Sequence, residues 1–580
     1  MKTLLRWKGL QLGLLLTSIF CANSCFAAES NNNEITVFIA KKIITMDPAW
    51  PEATAVAVQN GKVLSVGSLA DLQPWLSKYP NHVDKTFANK IIMPGFVEAH
   101  AHPLIGGTAM TRPLLTYLPV PNPYGKAFPG VKTKADALAK LREYVKQASP
   151  AQTLVAWGYD TVAFGGPLDK DQLDRISDQQ PMIVWDASEH LAFANTPTLT
   201  KYQVTRADTK INGVMADANG DPNGQFIGVT AADFILQKPL SELMSPDIAY
   251  KNVKFLMDLS HQRGITTTSE LAFGMIDIPL EQLVYTRYFN DPNTPMRIVV
   301  VSDATSMEKA KGDQAIAFVK QLEGQSTDKL MFHGVKFFSD DAFVSQTMVL
   351  EGPGYVDQHK GVFITPPGSM FTRWSPWWNA GFHIHVHSNG NGGNQATIHA
   401  IKQLMASKPR FDHRFTIEHY GISTTDMIRK IKALGAIVSV NPYYLYGRAE
   451  INEPNMGTDR ADTAARLKSL VDAGIPTSMH SDTPVAPPNP LEEVWIAVNR
   501  FGLSGKVLGP EERITVDQAL RMITIDAAYT LGIDNKVGSI SPGKFADFTV
   551  LEQDPYAVPK EKIKDIGVWG TVHGGKLYPI

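Results

Sequence analysis

Apolar residues along most of the chain fall into short runs, and between most of the runs the spacing turns helical. Eight such runs stand at 93–99, 266–270, 297–301, 334–338, 382–387, 414–418, 436–440 and 476–480. Segments 248–263 and 461–473, before the second and eighth runs, carry helical spacing, as do 132–147 and 396–407. Strands alternating with helices predict an α/β fold with a parallel sheet, and eight units are what a (β/α)8 TIM barrel requires. This count treats 104–247 as an insertion after barrel strand one. Residues 182–185 also read as a strand, and including them gives nine.

The two ends differ from the middle. Residues 36–40, 42–45, 53–58 and 63–66 are short β-rich runs with a hairpin signal at Asn60-Gly61. Residues 545–551, 568–572 and 576–578 read similarly, with turns at 541–544 and 573–575. The expectation is one small β-domain made from 35–90 and 536–580, beside a barrel at 91–535.

The first residues form an address. Lys2, Arg6 and Lys8 precede an apolar run at 10–20, and the segment ends in Cys25-Phe26-Ala27-Ala28. This predicts a signal peptide at 1–27, cleaved after Ala27, and a periplasmic or secreted protein. The run is shorter than the ~20 residues of a spanning helix, so no stable membrane span is expected in the mature form. Lipoprotein anchoring at Cys25 is the lesser alternative, and 28–33 read as a short leader. Both cysteines, Cys21 and Cys25, lie here. A cleaved chain therefore has no thiolate, and any metal must be held by His and oxygen. The formal net charge of −2 gives no reason to expect nucleic acid as a partner. A small-molecule substrate is expected, and a homo-oligomer is left open.

Candidate chemistry collects at the ends of the apolar runs. The first delivers His100 and His102, two apart, so that on an extended strand both would face one way. Lys336 lies on the fourth, His387 ends the fifth, His419 follows the sixth and Asp482 the eighth. Barrel enzymes draw their active groups from such ends. Four imidazoles and a carboxylate suit one or two divalent cations, with zinc the default and iron or manganese also suited. Lys336 is either an unmodified charged or structural group, paired with Asp340 or Asp341, or a lysine carboxylated by CO2 whose two oxygens bridge metals. Asp482 suits the base that takes a proton from water and passes it to a leaving amine. His383 and His385 are in phase with His387; His385 is expected to fill the barrel interior or support a ligand and His383 to sit deeper, while His480, two before Asp482 and on its face, is expected to support the site by hydrogen bonding. Trp374, Trp377 and Trp378 are expected in helix packing. Tyr443, Tyr444 and Tyr446 follow the seventh run, where loops face the mouth.

These motifs resemble the amidohydrolase superfamily, in particular the amidohydrolase-3 group of YtcJ-like and N-substituted formamide deformylase-like proteins. The resemblance rests on Ile92-Met93-Pro94-Gly95-Phe96-Val97-Glu98-Ala99-His100-Ala101-His102, Gly334-Val335-Lys336-Phe337-Phe338-Ser339-Asp340, Arg414-Phe415-Thr416-Ile417-Glu418-His419, Ser481-Asp482-Thr483-Pro484-Val485 and Pro542-Gly543-Lys544-Phe545-Ala546-Asp547. It implies a TIM barrel beside a β-sandwich formed from both ends. It implies metal ligation by His100, His102, Lys336 (carboxylated), His387, His419 and Asp482, with Asp482 also the proton shuttle. It implies that a metal-activated hydroxide hydrolyses an amide or related C–N bond. His190 resembles a family segment that contacts substrate, with a structural loop histidine as the alternative. The sequence departs from the family pattern at Asp341, at Asn391 and at Ser269-Glu270. Two other readings keep the same residues: hydrolysis of an ester, lactone or carbamate, and a metal-binding protein whose catalysis has decayed.

Overall fold

The computed structural model describes residues 34–580. The expected signal peptide, Cys25 and the leader at 28–33 lie outside the described residues. Eight parallel strands curl into one sheet in chain order: β1 Phe96–Val97, β2 Ile265–Phe273, β3 Arg297–Asp303, β4 Leu330–Phe338, β5 Ile384–Ser388, β6 Thr416–His419, β7 Ile437–Val440 and β8 Thr477–Met479. Just beyond the strands, Asp482 N–H donates to His100 O (3.0 Å) and His102 N–H to Thr483 O (3.1 Å), joining the last strand end to the first. The sheet has the order and curl of a TIM-barrel-like α/β fold. Most of its strand residues are buried, as strands covered by helices on one side and filled on the other must be.

The first strand is shorter than its apolar pattern suggests, and it is broken. Residues Ile91–Pro94 pair antiparallel with Phe548–Leu551 in a separate sheet, and only Phe96–Val97 join the barrel. Gly95 makes the break. Its N–H donates to Asp547 O, and its Cα lies so close to Thr266 that a Cβ would sit 1.9 Å from the hydroxyl. Only glycine fits that approach.

The separate sheet holds strands from both chain ends. Ile35–Ile44, Glu52–Gln59, Lys62–Gly67, Asn81–Asp84 and Ile91–Pro94 join Phe548–Leu551, Val568–His573 and Lys576–Pro579. The turn at Asn60-Gly61 has φ of +51° and +75°, the hand that matches the twist of a two-residue hairpin. Strand Met182–Asp186 pairs with Leu154–Tyr159 and Leu191–Ala194. It belongs to a five-stranded sheet within 104–247 and is not a ninth barrel strand. Arg448, just past β7, clamps this segment through Asp160 and also donates to Val344 O at 2.9 Å.

Helix Pro367–Asn379 buries Trp374, Trp377 and Trp378 completely, against Phe337 and Phe415 of the barrel wall. Each indole removes roughly 150–250 Å2 from water, about 4–6 kcal/mol at ~25 cal/mol per Å2. The helix expected over 461–473 is two short ones, Thr458–Asp462 and Leu467–Asp472. Between them the Arg500 guanidinium takes the carbonyls of Asp462, Ala464 and Ala465, and Ala465 turns to φ +54°.

Candidate metal centre

The C-terminal ends of the parallel strands place His100, His102, Lys336, His387, His419 and Asp482 around one buried mouth. Each imidazole is set by what its other nitrogen faces. Glu418, on β6, accepts from His100 Nδ1 (2.9 Å) and from His385 Nδ1 (2.6 Å). Glu270, on β2, accepts from His102 Nδ1 (3.0 Å) and from the Tyr285 hydroxyl. An imidazole that donates through Nδ1 presents a lone pair at Nε2, the arrangement found at metal-binding histidines. Both Nε2 atoms turn to Asp482 Oδ1, at 3.4 Å from His100 and 3.5 Å from His102. The second carboxylate oxygen lies 3.5 Å from His419 Nδ1, which is also 3.1 Å from His480 Nε2.

Two of these side chains stand on left-handed backbone, His419 at φ +72° and Asp482 at φ +59°. Such conformations cost about 1–3 kcal/mol in a non-glycine residue and cluster at functional sites. Lys336 Nζ lies 3.2 Å from His100 Nε2. Neither acid that follows it is its partner. Asp340 takes the backbone N–H groups of Val349, Asn389 and Gly390, and Asp341 faces His190.

Charge follows from burial. Desolvation, then the Lys336 ammonium and neighbouring imidazoles, hold His100 well below the ordinary imidazole range. His387 and His419 are lowered in the same way. Burial brings the Lys336 amine down to about 8. Burial works to raise Asp482, but the hydrogen bond and charge of His102 outweigh it and lower the carboxyl to about 2. Burial opposes protonation of His102, yet its bonds to Asp482 and Glu270 raise it to about 10. A metal cation at this position would replace that proton.

The donors fit a divalent cation. Ligand atoms of His100, His419 and His480 lie within 4.8 Å of one another, as do those of His100, His102 and Asp482. His419 Nε2 is buried with no hydrogen-bond partner. The His100 and His419 imidazoles, held neutral by burial, together with the Asp482 carboxylate form a donor set that suits a divalent cation.

The family description Amidohydrolase family matches residues 88–578. The chain belongs to the amidohydrolase family. This amidohydrolase is 23% identical to Putative amidohydrolase YtcJ of Bacillus subtilis over 550 residues, covering 92% of this chain and 97% of that one. It is 23% identical to N-substituted formamide deformylase of Arthrobacter pascens over 561 residues, covering 93% and 97%. These relatives place it in the YtcJ-like amidohydrolase-3 group. In fold it is similar to an uncharacterized metal-dependent hydrolase from Pyrococcus horikoshii OT3, with a TM-score of 0.67, 18% identity, and 91% and 99% of the two chains covered. It is a hydrolase, and its histidine cluster suits a divalent metal.

The remaining expectations sort by position. His387 joins the mouth, its ring 4.4 Å from that of His419, but its Nε2 faces the Asn389 amide at 2.9 Å. His190 stacks on His387 with ring centres 5.2 Å apart, and its Nδ1 meets Asp341. His383 lies deeper, against the Thr416 hydroxyl. Tyr444 stacks on Phe343 and lies 6.3 Å from His419, whereas Tyr443 donates to Glu492. Sequence reasoning passed over Glu418 and Glu270 as holders of the histidines, because nothing marks a pairing across 318 or 168 positions. It expected His480 to support the site by hydrogen bonding. The structure also puts that ring among the tightly grouped donors, and its phase with Asp482 was the available signal.

Proposed function

We propose that this amidohydrolase hydrolyses an amide or related C–N bond of a small molecule, using one or two divalent metal ions, with zinc first and iron or manganese as substitutes. His100, His102, His387, His419, a carboxylated Lys336 and Asp482 are the proposed ligands, and His480 is added as a neighbour. The observation that carries the reading is the grouping of donor atoms within 4.8 Å of one another, those of His100, His419 and His480 in one set and those of His100, His102 and the ionised Asp482 in another. A bound divalent ion supplies Lewis acidity and lowers the pKa of water.

The protein's own groups supply the rest. Asp482, with its carboxyl at about 2, is ionised at neutral pH and has an oxygen toward each side of the cluster. It accepts the proton of the attacking water and hands it to the departing nitrogen. Lys336, lowered to about 8, keeps a substantial neutral fraction, and only a neutral amine adds CO2 to give a carbamate and a proton. His190, backed by Asp341, is assigned to donate a hydrogen bond to the substrate carbonyl as charge builds on its oxygen. The same proposal includes export to the periplasm or outside the cell, supported by the layout of residues 1–27. No helix among the described residues is long and apolar enough to cross a membrane.

The test is elemental analysis of the purified protein followed by an acyl-amide and ester panel, with Asp482→Asn as control. Tightly held metal and amide turnover are expected, with turnover falling about 10^2–10^4-fold in the variant when both proteins are assayed with saturating added metal. Metal without turnover of any substrate would leave a binding protein, and turnover of esters alone would move the bond from C–N to C–O.

A further inference from the structure

Against the mouth, on the side of the insertion, lies a cavity of about 780 Å3. Its size is that of a small-molecule site. Phe338 separates it from the candidate centre. The ring lines the cavity, stands 5.4 Å from the His387 ring, and has Lys336 Nζ 5.5 Å from its centre. Trp185 forms another wall and is fixed by donating its Nε1–H to Glu189 O at 3.2 Å. Glu189 precedes His190 and sits on left-handed backbone at φ +65°.

The charges in this cavity are unevenly committed. Asp277 caps the helix that follows it by accepting Leu280 N–H. Asp303, the last residue of β3, uses Oδ2 to cap the next helix through Ser306 N–H at 2.7 Å. Its Oδ1 is buried without any partner, in a residue 3% exposed. Asp233, an exposed residue of helix Val229–Leu243 of the insertion, makes no hydrogen bond or ion pair among the described residues. Among the described residues Lys309 is the one cation lining the cavity, and it lies on an exposed stretch of helix Ala304–Lys311. The buried, unpaired oxygen of Asp303 costs free energy until a donor meets it.

We infer that this cavity holds the side group of the substrate and selects one ending in an ammonium or guanidinium on an apolar body. The inference rests on the hydrolase reading above and names its substrate class: an amide of a small molecule with a second, cationic nitrogen. Asp303 Oδ1 and Asp233 accept from the cation, while Trp185 and Phe338 cover the apolar body and offer ring faces to the charge.

The probe is benzylammonium, compared with benzoate and benzyl alcohol, titrated into the full chain by calorimetry. Benzylammonium should bind and benzoate should not. Asp233→Asn should weaken benzylammonium about tenfold, and Lys309→Gln, which removes the competing cation, should tighten it severalfold. With amide substrates, the ratio of kcat/KM for cationic over isosteric neutral side groups should fall about tenfold in Asp233→Asn. Benzoate binding as well as benzylammonium, or a ratio unmoved by either variant, would overturn the assignment. Benzylammonium binding that depends on Asp233 in a protein that turns over no amide would sustain the cavity assignment and sink the hydrolase reading instead.

Discussion

Two buried charged clusters stand at opposite ends of the barrel, and they are built on opposite terms. At the start of β3, Arg297 meets Asp547 through Nε (2.6 Å) and Nη2 (3.1 Å) and gives Nη1 to Asp328 O. Asp547 also accepts Gly574 N–H, and the Phe545 ring lies 3.6 Å from the guanidinium carbon. Each guanidinium nitrogen and each carboxylate oxygen of this pair has a partner. At the far ends of the strands, His419 Nε2, His385 Nε2 and Asp341 Oδ2 are buried and unused. The first cluster ties the terminal sheet to the barrel. The second withholds bonds from the protein and leaves them for something else. Closed networks hold a fold, and open ones mark where it acts.

The largest expected effect breaks the closed cluster. Asp547→Ala leaves the Arg297 guanidinium buried and unpaired, and stability should fall by about 3–5 kcal/mol in denaturant unfolding. Activity per folded molecule should hold. A loss of activity without a loss of stability would erase the contrast. The next sharpens the open cluster. Glu418→Gln cannot accept from both His100 and His385 as the carboxylate does, so metal affinity should drop about 10–100-fold in chelator competition. Unchanged affinity would remove Glu418 as the group that sets these rings.

The smallest effect is in pH. Burial and the nearby cations keep His573, beside the closed pair, neutral down to about 3, against 6.5 when exposed. Between those values the unfolded chain binds the extra proton, so stability falls as pH falls from 6.5 toward 3. His573→Gln should make that acid limb shallower, and an identical slope would show that the ring is not buried neutral.

The convergence of the candidate residues could be read from their order, and the reason is geometric. Parallel strands end on one side, so His100, Lys336, His387, His419 and Asp482 at successive strand ends had to converge. The eight barrel strands were legible for the same reason, since each is a short apolar run between helices. Other features depend on distant partners. The break at Gly95 follows from the hydroxyl of Thr266, and the turn at Ala465 from a guanidinium 35 positions on. Lys336 invited a partner among Asp340 and Asp341, its sequence neighbours. In the fold their carboxylates are taken by backbone amides and by His190, and the amine faces His100.

The segment broken at Gly95 has an implication for how the protein is made. Phe96 N–H donates to the hydroxyl of Thr549, 453 residues later. A ribosome therefore releases the stretch leading to His100 long before its covering strand exists. Until residue 549 has been added, the emerging polypeptide has one flank of that stretch bare. Any chaperone that meets the chain before then meets a barrel whose first strand lacks its cover.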